Sequence, residues 1–201
     1  MLALALGSLL CRPFLPEVAI TVDAASKVPI SPYIYGANHP EWDKTGELFT
    51  IARQGGNRMT AYNWETNASN AGSDWHHQND GYLGESNEAG WTTRTFLEAA
   101  QNHHAAAILT IPTAGYVAAD KNGDGDVNKT PDYLNKRFLK SFAKKPSGKY
   151  QYPPDVKDKA VYQDEFVSWL EKIKSPKTPV FFSLDNEPDL WGSTHARIWP
   201  K

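Results

Sequence analysis

Glu187 is the side chain in this sequence best placed for proton chemistry. It stands in the run FFSLDNEPDLW (181–191), with Asn186 before it, Pro188 after it and Trp191 close by. A carboxyl group that follows apolar strand residues and sits beside an indole can have its pKa raised toward the working pH, as a general acid requires. The Asn186 amide can hydrogen-bond a substrate hydroxyl. The same three residues also suit a simple turn that caps a strand, so the tripeptide alone leaves both readings open.

Other residue patterns suggest binding. Of seven tryptophans, only Trp169 falls in a predicted helix, while Trp42, Trp64, Trp75, Trp91, Trp191 and Trp199 fall in loops, where flat rings can stack on sugar faces or pack the loops themselves. Trp64 and Trp191 adjoin strand ends and are the first candidates for ligand contact; Tyr62, Asn63 and Tyr116 come second. Asp120, Asn122, Asp124 and Asp126 space oxygen ligands at alternate positions with Gly125 between the last two, which resembles the opening of an EF-hand loop. Pro131 occupies the place of the closing glutamate, so an Asx-rich turn is the other reading. The six histidines show no zinc-hydrolase spacing, and neither a Ser-His-Asp elbow, a phosphate loop nor a dinucleotide fingerprint is present. His39 and His195 are expected at strand ends, lining a cleft, and the other four in solvent. Asn67-Ala-Ser69 and Asn128-Lys-Thr130 fit glycan acceptors should a eukaryote secrete the chain.

Composition removes several classes. The 201 residues carry 40% hydrophobic and 22% charged side chains, enough apolar mass for a core. With 21 Lys and Arg against 23 Asp and Glu, the net charge of −2 offers no field for a nucleic-acid backbone. The single cysteine, Cys11, makes neither an internal disulfide nor a cysteine-based zinc site. Residues 1–16 begin with MLALALGSLLC, which has about the length of a signal-peptide core but no basic residue before it. They are read as a leader remnant of a secreted protein, and the run is too short to cross a bilayer.

The elements that must position Glu187 follow from periodicity. VAITV (18–22) alternates as a strand, and YIYGA (33–37) is a second strand candidate. Leu48, Ile51 and Ala52 have helical spacing before Gly55 and Gly56, and a strand is expected over 57–62. A polar loop over 63–91 precedes a helix from Thr92 to His103, with Thr95 and Glu98 at capping-box spacing. The run AAAILTIP (105–112) reads as a buried strand, and a second long loop covers about 115–158. Tyr162, Phe166, Trp169, Leu170 and Ile173 form one helical stripe before the strand PVFFSL (179–184). Strands of this kind alternating with helices specify an α/β fold with parallel pairing. Chemistry then belongs at the carboxyl ends of the strands, where HPEWD, NWETN, PTAGY and DNEPDLW stand.

Four blocks, in order, carry a resemblance: ISPYIYGAN (30–38), GNRMTAYNWETNASNAGSDW (56–75), PTAGYVAADKNG (112–123), and VYQDEFVSWL (161–170) with SLDNEPDLW (183–191). Through them the chain resembles glycoside hydrolase family 44, within the clan of retaining (β/α)8-barrel glycosidases. The resemblance implies endo-acting cleavage of β-1,4-glucans such as cellulose derivatives and xyloglucan, with no cofactor for catalysis. It gives Glu187 the general acid/base role, Asn186 a contact to the sugar 2-hydroxyl, and Arg58 the place of the arginine that supports the nucleophile. It also suggests a calcium site from Glu65, Asp155 and Asp158, and makes residues 17–32 a strand of a small β-sandwich beside the barrel.

A retaining mechanism needs a second carboxylate about 5–5.5 Å from the first, and a complete barrel needs eight strands and about 250 residues. Residues 33–201 are therefore expected to form the first half of a barrel, with the nucleophile supplied by a missing second half. Neither Glu65 nor Asp185 matches the nucleophile's place. The alternative is a truncated carbohydrate-binding chain without turnover.

Overall fold

A computed structural model describes residues 18–199. The leader assignment and Cys11 lie outside them. The chain divides into two units, the first ending at Ile30. Residues 18–30 contain one turn, in which the Asp23 carboxylate accepts the Ala25 amide, and no strand. Val18, Ile20 and Val22 are exposed. Their alternation marks a strand only where a ladder partner exists, and none is present among the described residues.

The second unit runs from Ser31. Its elements in chain order are β1 (Gly36–Asn38), α1 (Trp42–Thr45), β2 (Ile51–Gln54), α2 (Asn57–Thr60), β3 (Ser69–Asn70), β4 (Asn79–Asp80), α3 (Trp91–Asn102), β5 (Ala106–Ile111), β6 (Tyr116–Ala118), α4 (Tyr133–Lys136), β7 (Phe138–Phe142), β8 (Ala160–Tyr162), α5 (Gln163–Ile173), β9 (Val180–Leu184) and α6 (Trp191–Thr194). Strands β1, β2, β5 and β9 form a four-stranded parallel sheet in that order, with Ala37 opposite Ala52, Ala52 opposite Ala107, and Leu109 opposite Phe182. The expected α/β class is thus present. The half-barrel and sandwich assignments go beyond what this sheet establishes.

The core explains the arrangement. Ala52, Ala107, Leu109 and Ile111 of the sheet meet Leu97 and Ala100 of α3 and Phe166, Trp169 and Leu170 of α5. In α5, Phe166, Trp169 and Leu170 are buried on the stripe their spacing predicts. Alanines at the centre of the sheet leave room for the large helix side chains, as close packing requires. Trp64 is stacked on Phe166 at 5.3 Å and on Trp169 at 5.9 Å.

Several expected elements differ. The apparent helix over 48–52 gives way to β2, because Ile51 to Gln54 fill a ladder slot between β1 and β5. The segment 57–62 forms the single turn of α2 instead of a strand. Gly56, at φ 102°, turns the chain sharply after β2 and prevents the strand from continuing. Thr95 lies inside α3, where its hydroxyl bonds back to the Trp91 and Thr92 carbonyls; the N-cap is Gly90. The two long loops are not structureless: 63–91 holds the β3–β4 hairpin, and 115–158 contributes β6 and β7 to a small sheet completed by β8.

Candidate active site

All four parallel strands end at one mouth, and hydrogen bonds tie those ends together. Arg53 on β2 donates from Nη1 to Asn38 Oδ1 at the end of β1 (3.3 Å) and from Nη2 to Asn186 Oδ1 just past β9 (2.8 Å). Asn186 Nδ2 donates to Asn57 Oδ1 and to Glu187 Oε2, both at 3.3 Å. Asn57 Nδ2 donates in turn to Asp74 Oδ1 at 2.7 Å.

Beneath Glu187 the turn is braced. Asp185 is buried, and its carboxylate accepts the Thr60 hydroxyl (2.6 Å), the Asn186 backbone N–H (2.8 Å), the Thr113 hydroxyl (3.2 Å) and the Thr113 backbone N–H. Trp191 is 6% exposed and donates its indole N–H to the Asn186 carbonyl at 2.9 Å. Asp185 and Glu187 both have left-handed backbone, at φ 66° and φ 44°. Such conformations cost about 1–3 kcal/mol at a residue other than glycine and persist where the surroundings fix them. Here the Asp185 and Trp191 bonds do so, and they leave the Glu187 side chain exposed. The apolar cover expected around this carboxyl is not supplied by the described residues.

A cleft of about 890 Å³ adjoins this mouth, lined by Asn38, His39, Asn57, Arg58, Asp74, Trp75, Asp80 and Tyr82 among others. Glu187 is not a wall residue; it joins the cleft through Asn186 and Asn57. Trp75 (56% exposed) and Tyr82 (76% exposed) are the open aromatic surfaces there. Arg58 bonds the Asp80 carboxylate and lies 4.2 Å over the Tyr82 ring. Burial pushes the Asp80 carboxyl up, but Arg58, Gln78 and the Tyr82 amide outweigh it and hold the group below its usual value. His39 bonds the Gly55 carbonyl at 3.2 Å and is lowered by burial, which outweighs that bond.

The structure therefore brings Asn186, Glu187, Asn57 and Arg53 together but sends other expected contacts elsewhere. Trp64 and Tyr62 have no exposed surface and belong to the core. Asn63 is also buried, donating to the Ala118 carbonyl and accepting the Glu65 amide. Trp191 braces the turn. Tyr116 is half-buried against a second cluster that contains Phe138 and Trp191. Arg58 serves the cleft wall, and Arg53 is the arginine that meets Asn186. Reading 48–52 as a helix hid Arg53, whose place at the end of a strand is the signal that reveals it. Trp75 was one of six loop tryptophans with nothing to rank it above the others, and Tyr82 and Asp74 carried no local signal beyond a polar loop. Of the histidines, His195 is 1% exposed and bonds the Asn57 carbonyl at 2.9 Å, while His103 stacks on Trp42 at 4.6 Å.

The two acidic sets have different surroundings: arginines take up the carboxylates of the 120–126 loop, and Glu65 lies in the field of Asp158, Glu165 and Asp155 beside Lys145. Arg137 binds Asp120 and Asp124, and Arg197 binds Asp126, so guanidinium groups already neutralise the loop's carboxylates. Asn122 caps the Asp120 turn with its backbone N–H. Glu65 is pushed up to about 8 by burial and then by the charges of Asp158 and Glu165, with a smaller contribution from Asp155. Lys145 supplies that region's positive charge, bonding both Glu165 oxygens at 2.8 Å. Among the described residues no group of three or more His, Cys, Asp or Glu side chains is gathered to hold a metal ion. No helix among them is long and apolar enough to cross a membrane.

Comparison with known proteins gives a consistent result. The profile of glycoside hydrolase family 44 matches residues 68–201. The chain is 40% identical over 196 residues to a beta-mannanase/endoglucanase A of Caldicellulosiruptor saccharolyticus, covering 91% of this chain and 14% of that protein. It is 38% identical to endoglucanase A of Paenibacillus lautus, covering 92% of this chain and 28% of that protein. A family 44 xyloglucanase structure from Paenibacillus polymyxa superposes with a TM-score of 0.77 at 39% identity, covering 87% of this chain and 36% of that one. A family 44 endoglucanase from Clostridium thermocellum gives 0.75 at 38% identity, with 87% and 35% covered. The chain thus spans between 14% and 28% of these curated relatives' length, and about a third of the solved structures.

Proposed function

The chain belongs to glycoside hydrolase family 44, and from that membership we propose that it carries the acid/base side of a retaining endo-β-1,4-glucanase or xyloglucanase. The observation that carries the reading is the placement of Asn186 and Glu187 at the end of β9, tied through Arg53 and Asn57 to the ends of β1 and β2. In this reading the four parallel strands are the first four of an eight-stranded barrel.

A glucan chain lies along the cleft, its sugar faces on Trp75 and Tyr82 and its hydroxyls on Asn38. Asn186 holds the 2-hydroxyl of the sugar being cleaved. Glu187 gives its proton to the glycosidic oxygen as a second carboxylate attacks the anomeric carbon. The bond to the leaving sugar breaks, a glycosyl-enzyme ester forms, and Glu187 becomes a carboxylate. That carboxylate then takes a proton from water, which displaces the enzyme and restores the original anomer. Asp185 is unsuited to the attack because both its oxygens are engaged, and Glu65 faces Asp158, Glu165 and Lys145. In this reading the nucleophile comes from outside these residues, as the family resemblance implies. The reaction runs on carboxylates and water without a cofactor. A polymeric substrate places the protein outside the cell.

The test is the anomer of the first product, followed by proton NMR on a hydrolytically competent protein that contains this chain. Retention is expected, and inversion or a lack of β-glucan cleavage would overturn the reading. Glucan binding without turnover in that protein would favour a carbohydrate-binding role.

A further inference from the structure

We propose that Asp74 and Asn57 are positioning residues that fix which way the Asn186 amide faces, and through it where the Glu187 carboxylate sits. The proposal rests on the acid/base reading of Glu187 for its kinetic consequence, but not for its geometry. An asparagine amide has a donor end and an acceptor end of nearly the same shape, so its orientation is set by its partners. Here two asparagines stand in series between charged groups of opposite kind. At one end the Arg53 guanidinium only donates, which commits Asn186 Oδ1 to it at 2.8 Å. At the other end the Asp74 carboxylate accepts the Asn57 amide at 2.7 Å, which turns Asn57 Oδ1 toward Asn186. Asn186 Nδ2 is then the only end free to meet Asn57 and Glu187, at 3.3 Å each.

Without Asp74, Asn57 loses the partner that fixes its polarity, and its amide can present Nδ2 to Asn186 instead. The Asn186 donor would then compete with a neighbouring donor, and its bond to Glu187 would lose its reference point. A further contact makes Asn57 a firm relay, since its backbone carbonyl accepts from the buried His195 ring at 2.9 Å, and the residue lines the cleft beside Asp74. Asp74 itself is exposed, so removing its carboxylate leaves the core intact. Because Trp75 follows it directly, a sugar seated on that ring would lie next to the start of the relay.

A double-mutant cycle in a hydrolytically competent protein that contains this chain tests the proposal. Asp74→Ala is expected to lower kcat by about tenfold to a hundredfold, the scale of a small misplacement of a reacting group, with KM little changed. On an Asn186→Ala background the same change should alter kcat by less than about twofold, since the residue through which it acts is gone. Asp74→Asn, which keeps an acceptor oxygen, should restore part of the rate. Equal losses on both backgrounds would overturn the proposal. The side-chain amide proton signals of Asn186 and Asn57 provide a second readout that needs no activity. They should shift in Asp74→Ala with the unfolding midpoint unchanged, and unmoved signals would refute the relay even if Glu187 proved to be the acid. Loss of the acid role, seen as full activity in Glu187→Gln, would instead remove the kinetic consequence while the amide signals still report the geometry.

Discussion

Two tryptophans separate packing from binding at the scale of single residues. Trp64 is enclosed by Phe166 and Trp169, so Trp64→Ala should lose about 3–5 kcal/mol of stability, measured by urea unfolding, with any loss of glucan binding secondary to that. Trp75 is 56% exposed. Trp75→Ala should shift stability by no more than about 0.5 kcal/mol while weakening cello-oligosaccharide binding by roughly fivefold, near 1 kcal/mol. Calorimetric titration decides it, and unchanged affinity would remove Trp75 from the binding surface. The difference was not legible in the sequence, because both residues lie in the same polar stretch and only tertiary packing decides which ring is covered. The placement of Asn186 and Glu187 just past the end of β9 was legible, since strand and turn are contiguous in the chain.

Among the elements, α3, α5, β5 and β9 followed their periodicity, whereas VAITV (18–22) and the segment 48–62 did not. A four-residue strand and a one-turn helix are too short for periodicity to define, and pairing with β1 and β5 settles them. Close approaches between elements give two predictions. Gly90, the N-cap of α3, has φ 68°, and a Cβ there would stand 2.2 Å from the Trp169 ring. Gly90→Ala should therefore cost more than about 1 kcal/mol, visible as a lower melting temperature. His195 joins α6 to α2 through the Asn57 carbonyl, and burial, outweighing that bond, lowers its pKa. Its contribution to stability is complete above the unfolded value near 6.5 and is lost as pH falls from there toward the lowered folded value, because the unfolded state binds the proton first. Melting temperatures at pH 7.5 and 5.5 should differ less in His195→Gln than in the parent. His39 and His77, also lowered by burial, keep part of the slope. An unchanged difference would contradict this role.

Over the whole molecule, the sheet leaves β1 and β9 paired on one side only among the described residues. Ile34 and Tyr35 near the first edge are 58% and 63% exposed, and Phe181 and Leu184 on the last are 45% and 74% exposed. Unpaired edges with apolar side chains favour association. The purified 201-residue chain should therefore scatter light as a dimer or larger species, and a monodisperse monomer with cooperative unfolding would show that these edges are tolerated. The parallel α/β class was legible from the alternation of apolar strands and helices. The cleft was not, because its walls come from segments far apart in sequence. In the proposed reading, Glu187 as the proton donor unites the fold, the mouth and the family. The most direct measurement is the rate of xyloglucan hydrolysis by a competent protein that contains this chain, with and without Glu187→Gln. The account predicts a loss of about 10² to 10⁴-fold in kcat with glucan binding retained; a rate within about threefold of the parent, far short of what loss of a general acid costs, would contradict it.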